Sequence, residues 1–207
     1  MIDEEQEAIR FVETRCDAAA MEKLHAFVDS LRAENKQQNL VARASLDAVW
    51  QRHIADSAQL VEYAPKAGTW LDLGTGPGLP GLVLAIMRPA ADFHLVESRR
   101  RRVDFLHQTI AKLGLRNCTV HGERLELVER FKADAMTARA FAALPRLIDL
   151  SLDFSTPETR WILPKGRSAA KEIAELPTKL ARLFHVEQSQ TAADAGIVIG
   201  EGLGGRS

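Results

Sequence analysis

The stretch Trp70-Leu71-Asp72-Leu73-Gly74-Thr75-Gly76-Pro77-Gly78-Leu79-Pro80-Gly81 restricts the fold more than any other part of the chain. An apolar run of strand length enters a glycine-rich turn. It leaves through Leu82, Val83, Ile86 and Met87, spaced for one face of a helix. Gly74, Gly76, Gly78 and Gly81 let backbone approach a ligand, and Pro80 suits the first turn of the helix. Strand, tight turn and helix in that order belong to open α/β sheets, whose ligands lie at the carboxyl ends of the strands.

Short apolar runs recur at Thr69–Leu73, Phe93–Glu97, Cys118–His121, Asp134–Ala138, Arg160–Leu163, Leu183–Gln188 and Ile197–Ile199, most of them separated by helical periodicity. This alternation predicts a mostly parallel sheet with right-handed crossovers and helices on both faces. No helical stretch lies between the last two runs, so they are expected to form an antiparallel hairpin. Such an ending is commoner in methyltransferase sheets than in dinucleotide-binding ones. Earlier, Met21, Leu24, Phe27, Val28 and Leu31 mark one helix face, and Leu46, Val49, Trp50, His53, Ile54, Leu60 and Val61 repeat the pattern. The period changes at Tyr63-Ala64-Pro65-Lys66-Ala67-Gly68. We therefore expect a helical cap over residues 1–64 and an α/β domain over 65–207, with a frayed tail from Gly200 to Gly205.

A chain of 207 residues, 46% hydrophobic, can bury a core without staples. Cys16 and Cys118 form no Cys-x-x-Cys pair, so neither a disulfide framework nor a metal site is expected. The start, Met1-Ile2-Asp3-Glu4-Glu5, is acidic where a leader is basic, and no run reaches the ~18 apolar residues of a membrane span. The expectation is a cytoplasmic protein, monomeric and without a membrane partner. A net charge of -1 argues against a uniformly basic coat protein but leaves room for a local basic face.

Gly76-Pro77-Gly78-Leu79-Pro80-Gly81 also matches the dinucleotide fingerprint, so the glycines alone do not choose the cofactor. Asp72 does: its carboxylate would repel a pyrophosphate but suits the amino group or sulfonium of S-adenosylmethionine, directly or through water. Glu97 ends the next strand, roughly 20 residues beyond the turn, where an acid can accept from both ribose hydroxyls.

Four pieces in order carry a more specific resemblance: Arg52-His53-Ile54-Ala55-Asp56-Ser57, Gly74-Thr75-Gly76-Pro77-Gly78-Leu79-Pro80-Gly81, Arg139-Ala140-Phe141-Ala142 and Lys165-Gly166. Between about Phe27 and Ile173 the chain resembles the RsmG (GidB) family, bacterial 16S ribosomal RNA guanine-N7 methyltransferases. The resemblance implies a class I, Rossmann-like S-adenosylmethionine-dependent methyltransferase fold. It also implies a methyl-transfer activity on 16S rRNA or the small ribosomal subunit, and a cofactor site at Gly74, Leu79, Leu125, Glu126 and Arg139. With the residues read above, the expected cofactor set is Asp72, Gly74, Gly76, Gly78, Leu79, Glu97, Leu125, Glu126 and Arg139.

Guanine N7 carries an in-plane lone pair, so its methylation needs alignment and charge accommodation but no general base. No cysteine follows the fourth strand, as covalent cytosine chemistry would require. There Arg139 and Phe141 offer a cation for an anionic group and a ring to stack a base. We expect Arg139 to bind the cofactor carboxylate or an RNA phosphate, and Lys165 to contact RNA or guanine O6; both act by positioning. His53 reads first as a packing histidine paired with Asp56, and with Arg52 it is a candidate RNA contact. Arg99, Arg100, Arg101 and Arg102 follow Ser98, the expected N-cap, and oppose the positive end of their helix, as an RNA phosphate surface would. Competing readings are a methyltransferase for a small molecule or protein, an NAD-dependent oxidoreductase, and a non-catalytic RNA-binding assembly factor.

Overall fold

The computed structural model describes residues 1–63 and 68–204. The cap boundary between residues 64 and 65, and Gly205 of the tail, lie outside the described residues. In chain order the helices are α1 (Glu5–Glu13), α2 (Ala18–Glu34), α3 (Asp56–Ala58), α4 (Gly81–Met87), α5 (Arg100–Leu113), α6 (Leu144–Ser151), α7 (Ala169–Ala174) and α8 (Thr178–Ala181). The strands are β1 (Thr69–Leu73), β2 (Asp92–Val96), β3 (Cys118–His121), β4 (Ala135–Thr137), β5 (Arg160–Lys165), β6 (Phe184–Gln188) and β7 (Gly196–Gly200). Each expected strand is present; β1 and β3 have the expected bounds, and the other five differ by a residue or two at one or both ends.

The strands form one sheet in the order β3-β2-β1-β4-β5-β7-β6. Pairs are parallel from β3 to β5, and β7 runs antiparallel to both β5 and β6. This is the class I methyltransferase order, mostly parallel with an antiparallel ending. Strand order reverses between β1 and β4, and the loops after them part to leave a crevice.

Helix α4 explains the cap. Its sequence Gly-Leu-Val-Leu-Ala-Ile-Met is apolar all round, and each of its residues is buried. An apolar-all-round helix needs cover on both sides, and here the sheet supplies one and the cap the other. Leu24, Phe27, Val28 and Leu31 of α2, together with Ile54 and Ala58, share one core cluster with Leu82, Ile86 and Trp70. Burying each large side chain contributes about 2 kcal/mol. The second core cluster lies on the opposite face of the sheet and is built on Leu71, Leu73, Met136, Trp161, Leu163 and Phe154.

Three local expectations are corrected. The second cap helix is not one regular helix: a 3-10 turn at Arg43–Ser45, a π-helical turn at Trp50–Ala55, α3 and a 3-10 turn at Gln59–Glu62 follow one another. The Glu5 carboxylate accepts from the backbone N–H of Trp50 and Gln51, capping the π turn from a distant part of the chain. Ser98 is not the N-cap of α5; that position is Arg99, and the Glu97 carboxylate accepts its N–H at 2.8 Å. Nor is the tail frayed over its described length. Gly200 ends β7, Glu201 and Gly202 donate to the Leu183 and Pro157 carbonyls, and Leu203 is buried. Among the described residues no helix is long and apolar enough to cross a membrane.

Candidate functional site

The carboxyl ends of β1 to β4 bring the sequence motifs together. Gly74 follows β1, Glu97 follows β2, Leu125 and Glu126 sit on a short 3-10 turn after β3, and Arg139 to Phe141 follow β4. Gly74, Glu97, Arg102, Leu125, Glu126 and Phe141 line one crevice of about 360 Å3. Leu125 is buried while Glu126 is exposed, giving the crevice an apolar and an acidic side. Glu97 is also buried, and Arg102 reaches its carboxylate at 3.4 Å.

The glycines serve different ends. Gly74 and Gly76 have φ of +64° and +59°, a region costly to side chains. A Cβ on Gly74 would stand 2.5 Å from Phe141 Cδ2, so the ring lies directly over the turn. Gly76 is buried but less crowded: a Cβ there would meet Arg102 Nη1 at 3.7 Å and the Gly74 carbonyl at 3.9 Å. Gly78, itself at φ +95°, and Gly81 also clear space for protein, against Leu82 and against Asp72 with Leu95. Leu79 is buried behind the turn.

Asp72 does not line the crevice. It is 1% exposed, and its carboxylate accepts from Gly81 N–H at 2.8 Å and Thr137 Oγ1 at 2.9 Å. It therefore locks the turn to the first residue of α4 and to β4. Burial pushes its pKa above the ordinary carboxylate value, against the pull of these hydrogen bonds. The electrostatic selection read from the sequence can reach a ligand only as a field through the turn.

One further cavity adjoins the crevice, and a second adjoins that one at Arg139, Pro164, Lys165 and Gly166. One, of about 440 Å3, lies between Phe141 and Lys165, so Phe141 and Ala140 wall both it and the crevice. The other, also about 440 Å3, runs from Arg139 and Lys165 past His53 and Arg52 to the turn joining β6 and β7. Ala140, at φ 52°, is the one non-glycine residue among those described with positive φ, and it joins Arg139, which lines the cap-side cavity, to Phe141, which lines the crevice.

Arg139 turns toward the cap. Its Nη1 meets His53 Nδ1 at 3.2 Å, the Asp56 carboxylate at 3.5 Å and the Arg52 carbonyl at 3.4 Å. His53 thus pairs with Arg139, not with Asp56 as expected: both cap side chains converge on the guanidinium. An accepting Nδ1 leaves the proton on Nε2, which donates to Ser45 Oγ at 2.7 Å; that hydroxyl donates in turn to the Ala42 carbonyl. Burial, reinforced by Arg139 and Arg52, lowers the His53 pKa to about 3, so the ring is neutral at pH 7.

Sequence reasoning missed the network behind this contact. Asp56 Oδ1 accepts from Thr191 Oγ1 at 2.8 Å and from Gln59 Nε2 at 3.1 Å, and Gln59 also meets Ser189 and the Gln190 N–H. The cap and the β6–β7 hairpin are thereby tied to the end of β4. Lys165 is equally engaged: it donates to the Ala142 carbonyl at 2.6 Å and pairs with Glu172 at 2.9 Å. Of the arginine run, Arg102 enters the crevice, Arg101 donates to the Gln37 carbonyl at 2.9 Å and Arg100 pairs with Asp104. Arg99 is exposed.

The site fits S-adenosylmethionine: a glycine turn covered at Gly74 only by the Phe141 side chain, a buried acid one strand away, and apolar surfaces on Leu125 and Phe141 for a purine. Residues 20–196 match the family model for rRNA small subunit methyltransferase G (GidB). A ribosomal RNA small subunit methyltransferase G from Erythrobacter litoralis is 54% identical over 203 residues, covering 98% of each chain. One from Sphingopyxis alaskensis is 54% identical over 184 residues, covering 87% of this chain and 78% of the relative. Among solved structures, an S-adenosylmethionine-dependent methyltransferase from Aquifex aeolicus aligns with a TM-score of 0.57 at 13% identity, covering 75% of this chain and 93% of that one, a likeness of fold.

Proposed function

The chain belongs to the rRNA small subunit methyltransferase G family, and from that premise we propose that it methylates N7 of a guanine in 16S ribosomal RNA. It is an S-adenosylmethionine-dependent rRNA methyltransferase. The observation that carries the reading is the convergence of Gly74, Glu97, Leu125, Glu126 and Phe141 on one crevice at the switch point of the sheet.

When bound, S-adenosylmethionine supplies an activated methyl group on a sulfonium. Gly74, Gly76 and Gly78 form the turn around it, with Leu79 and Asp72 supporting from behind. Glu97 accepts from the ribose, while Leu125 and Glu126 border the adenine. Phe141 divides this crevice from the next cavity, which makes its ring the surface for the acceptor base. Methylation leaves guanine cationic, and an aromatic face accommodates that charge. No proton need be removed from N7, in keeping with a neutral, hydrogen-bonded His53 and with three cavities lined, among the described residues, by no cysteine.

Arg139, held by the cap, meets the cofactor carboxylate or an RNA phosphate from the far side of Ala140. Lys165 keeps the Ala142 loop in place while paired with Glu172, and reaches RNA or guanine O6 only across the cavity that it lines. Arg52 and Arg99 to Arg102 add phosphate contacts, and residues 1–64 form the RNA-facing cap of a cytoplasmic monomer. Arg139→Ala is expected to lower kcat/KM about tenfold or more, as removal of one charge-assisted hydrogen bond would; unchanged kinetics remove it from the mechanism. Labelled methyl transfer to unmethylated small-subunit rRNA, mapped by base, tests the activity. Label as N7-methylguanosine is the expected result; label on an exocyclic amine, or none, overturns the proposal.

A further inference from the structure

We infer that a groove on the cap, away from the crevice, is a docking site for RNA backbone phosphates. It rests on the reading that the substrate is rRNA, and it concerns residues to which the activity itself assigns no role. The groove, of about 390 Å3, is lined by Arg32, Asn35, Lys36, Arg43, Leu46 and Asp47. Three exposed cations thus face one concavity against a single carboxylate.

The arrangement is built, not incidental to a solvated helix. Arg32 lies in the last turn of α2 and Lys36 two residues past its end, and both line the same concavity, where like charges repel. Arg43 comes from the separate 3-10 turn and is brought to the same concavity. Asn35 fixes that geometry: its Oδ1 accepts from both Leu40 and Val41 N–H at 2.9 Å. Its carboxamide nitrogen meets no protein acceptor among the described residues and is left to donate outward. Arg32 donates to the Leu46 carbonyl at 3.4 Å, holding the opposite wall. Three cations so converged are stabilised by bound anions, and a polyanion supplies them at fixed spacing.

Position argues for the same partner as the crevice. Past the end of α2, Arg101 donates to the Gln37 carbonyl at 2.9 Å, and Gln38 Nε2 donates back to the Arg101 carbonyl at 3.0 Å. Arg102, next in sequence, lines the crevice. A basic strip therefore runs from the groove across α5 to the cofactor site. On the other side, the loop that carries Arg43 also carries Ser45, which meets His53, which meets Arg139. A strand of RNA whose base sits at Phe141 has this strip along its course.

The test uses the full chain with unmethylated small-subunit rRNA and with small subunits, comparing wild type, Arg32→Gln/Lys36→Gln/Arg43→Gln and the milder Lys36→Gln/Arg43→Gln. A control removes the exposed cations Lys171, Lys179 and Arg182 near the other edge of the sheet. Groove variants should show KM for RNA raised about tenfold or more, with kcat and S-adenosylhomocysteine affinity retained. At about 0.7 per phosphate contact, removing three phosphate-binding cations should flatten the slope of log affinity against log salt by roughly 2.1, and removing two by roughly 1.4. Retained S-adenosylhomocysteine binding and melting temperature show that the variants are folded, and the double variant spares the wall that Arg32 holds. Groove variants with the wild-type KM and salt slope, or a control that matches them, overturn the groove. Wild type that methylates neither RNA overturns the functional reading, and the groove with it.

Discussion

Replacing Asp72 separates two roles for one carboxylate. Its oxygens lie 2.8 Å from Gly81 N and 2.9 Å from Thr137 Oγ1 in a site 1% exposed to solvent. Asp72→Ala leaves both donors buried without a partner, at about 1–3 kcal/mol each. Removing a desolvated charge offsets part of that cost, leaving a net destabilisation of about 3 kcal/mol. For a chain of this size the melting temperature should fall by roughly 6–12 °C. Asp72→Asn keeps an acceptor for Gly81, and Thr137 can turn to accept from the amide. Its stability at pH 7 should lie within about 1 kcal/mol of wild type. The pH dependence has a definite sign. An acid whose folded pKa is raised contributes stability at low pH that is lost as pH rises through the folded value, so the Asn variant should gain on wild type with rising pH. Denaturant melts across pH, with S-adenosylhomocysteine calorimetry on the same samples, read both effects. Asp72→Asn should bind the ligand within a few-fold of wild type. A weakening of about a hundredfold at unchanged stability would refute the lock and return Asp72 to direct ligand contact.

His53 makes the fold acid-sensitive. Its pKa of about 3 in the folded state lies below 6.5, so stability is full above pH 6.5 and is lost as pH falls toward 3. By pH 4.5 the loss is about 3 kcal/mol, at 1.36 kcal/mol per pH unit; His53→Asn should flatten that limb of the stability curve, and an identical limb in the variant contradicts the assignment. Gly74→Ala forces a side chain into φ +64° and against Phe141. A stability loss of about 1–2 kcal/mol should accompany a fall in S-adenosylhomocysteine affinity of tenfold or more; calorimetry showing native affinity would mean that the ligand does not pass over Gly74.

Period and punctuation made the sheet legible. Each βα unit carries its own apolar run and breaker, and the missing helix between Gln188 and Ile197 announced the antiparallel ending. The crevice was legible for the same reason, since Gly74, Glu97 and Leu125 each sit just past a strand end. What stayed hidden depends on contacts distant in sequence. Nothing local says that Glu5 caps the turn at Trp50, or that Asp56 reaches Thr191 across 135 positions. The irregular turn types between Trp50 and Glu62 follow from those contacts, so an uninterrupted helical pattern was the natural reading there. Charge alone pointed Asp72 at the ligand, whereas its partners Gly81 and Thr137 belong to the next helix and to a strand 65 residues away. The His53–Arg139 pair was invisible because its members lie 86 residues apart.

The most direct test is a crystal structure of the protein with S-adenosylhomocysteine. The adenosyl group should lie in the crevice between Leu125 and Phe141, with its ribose hydroxyls on Glu97 and the Phe141 ring displaced from Gly74. Ligand bound instead along His53 and Arg139, with Gly74 still covered by Phe141, would contradict the assignment of the glycine turn as the methyl-donor site.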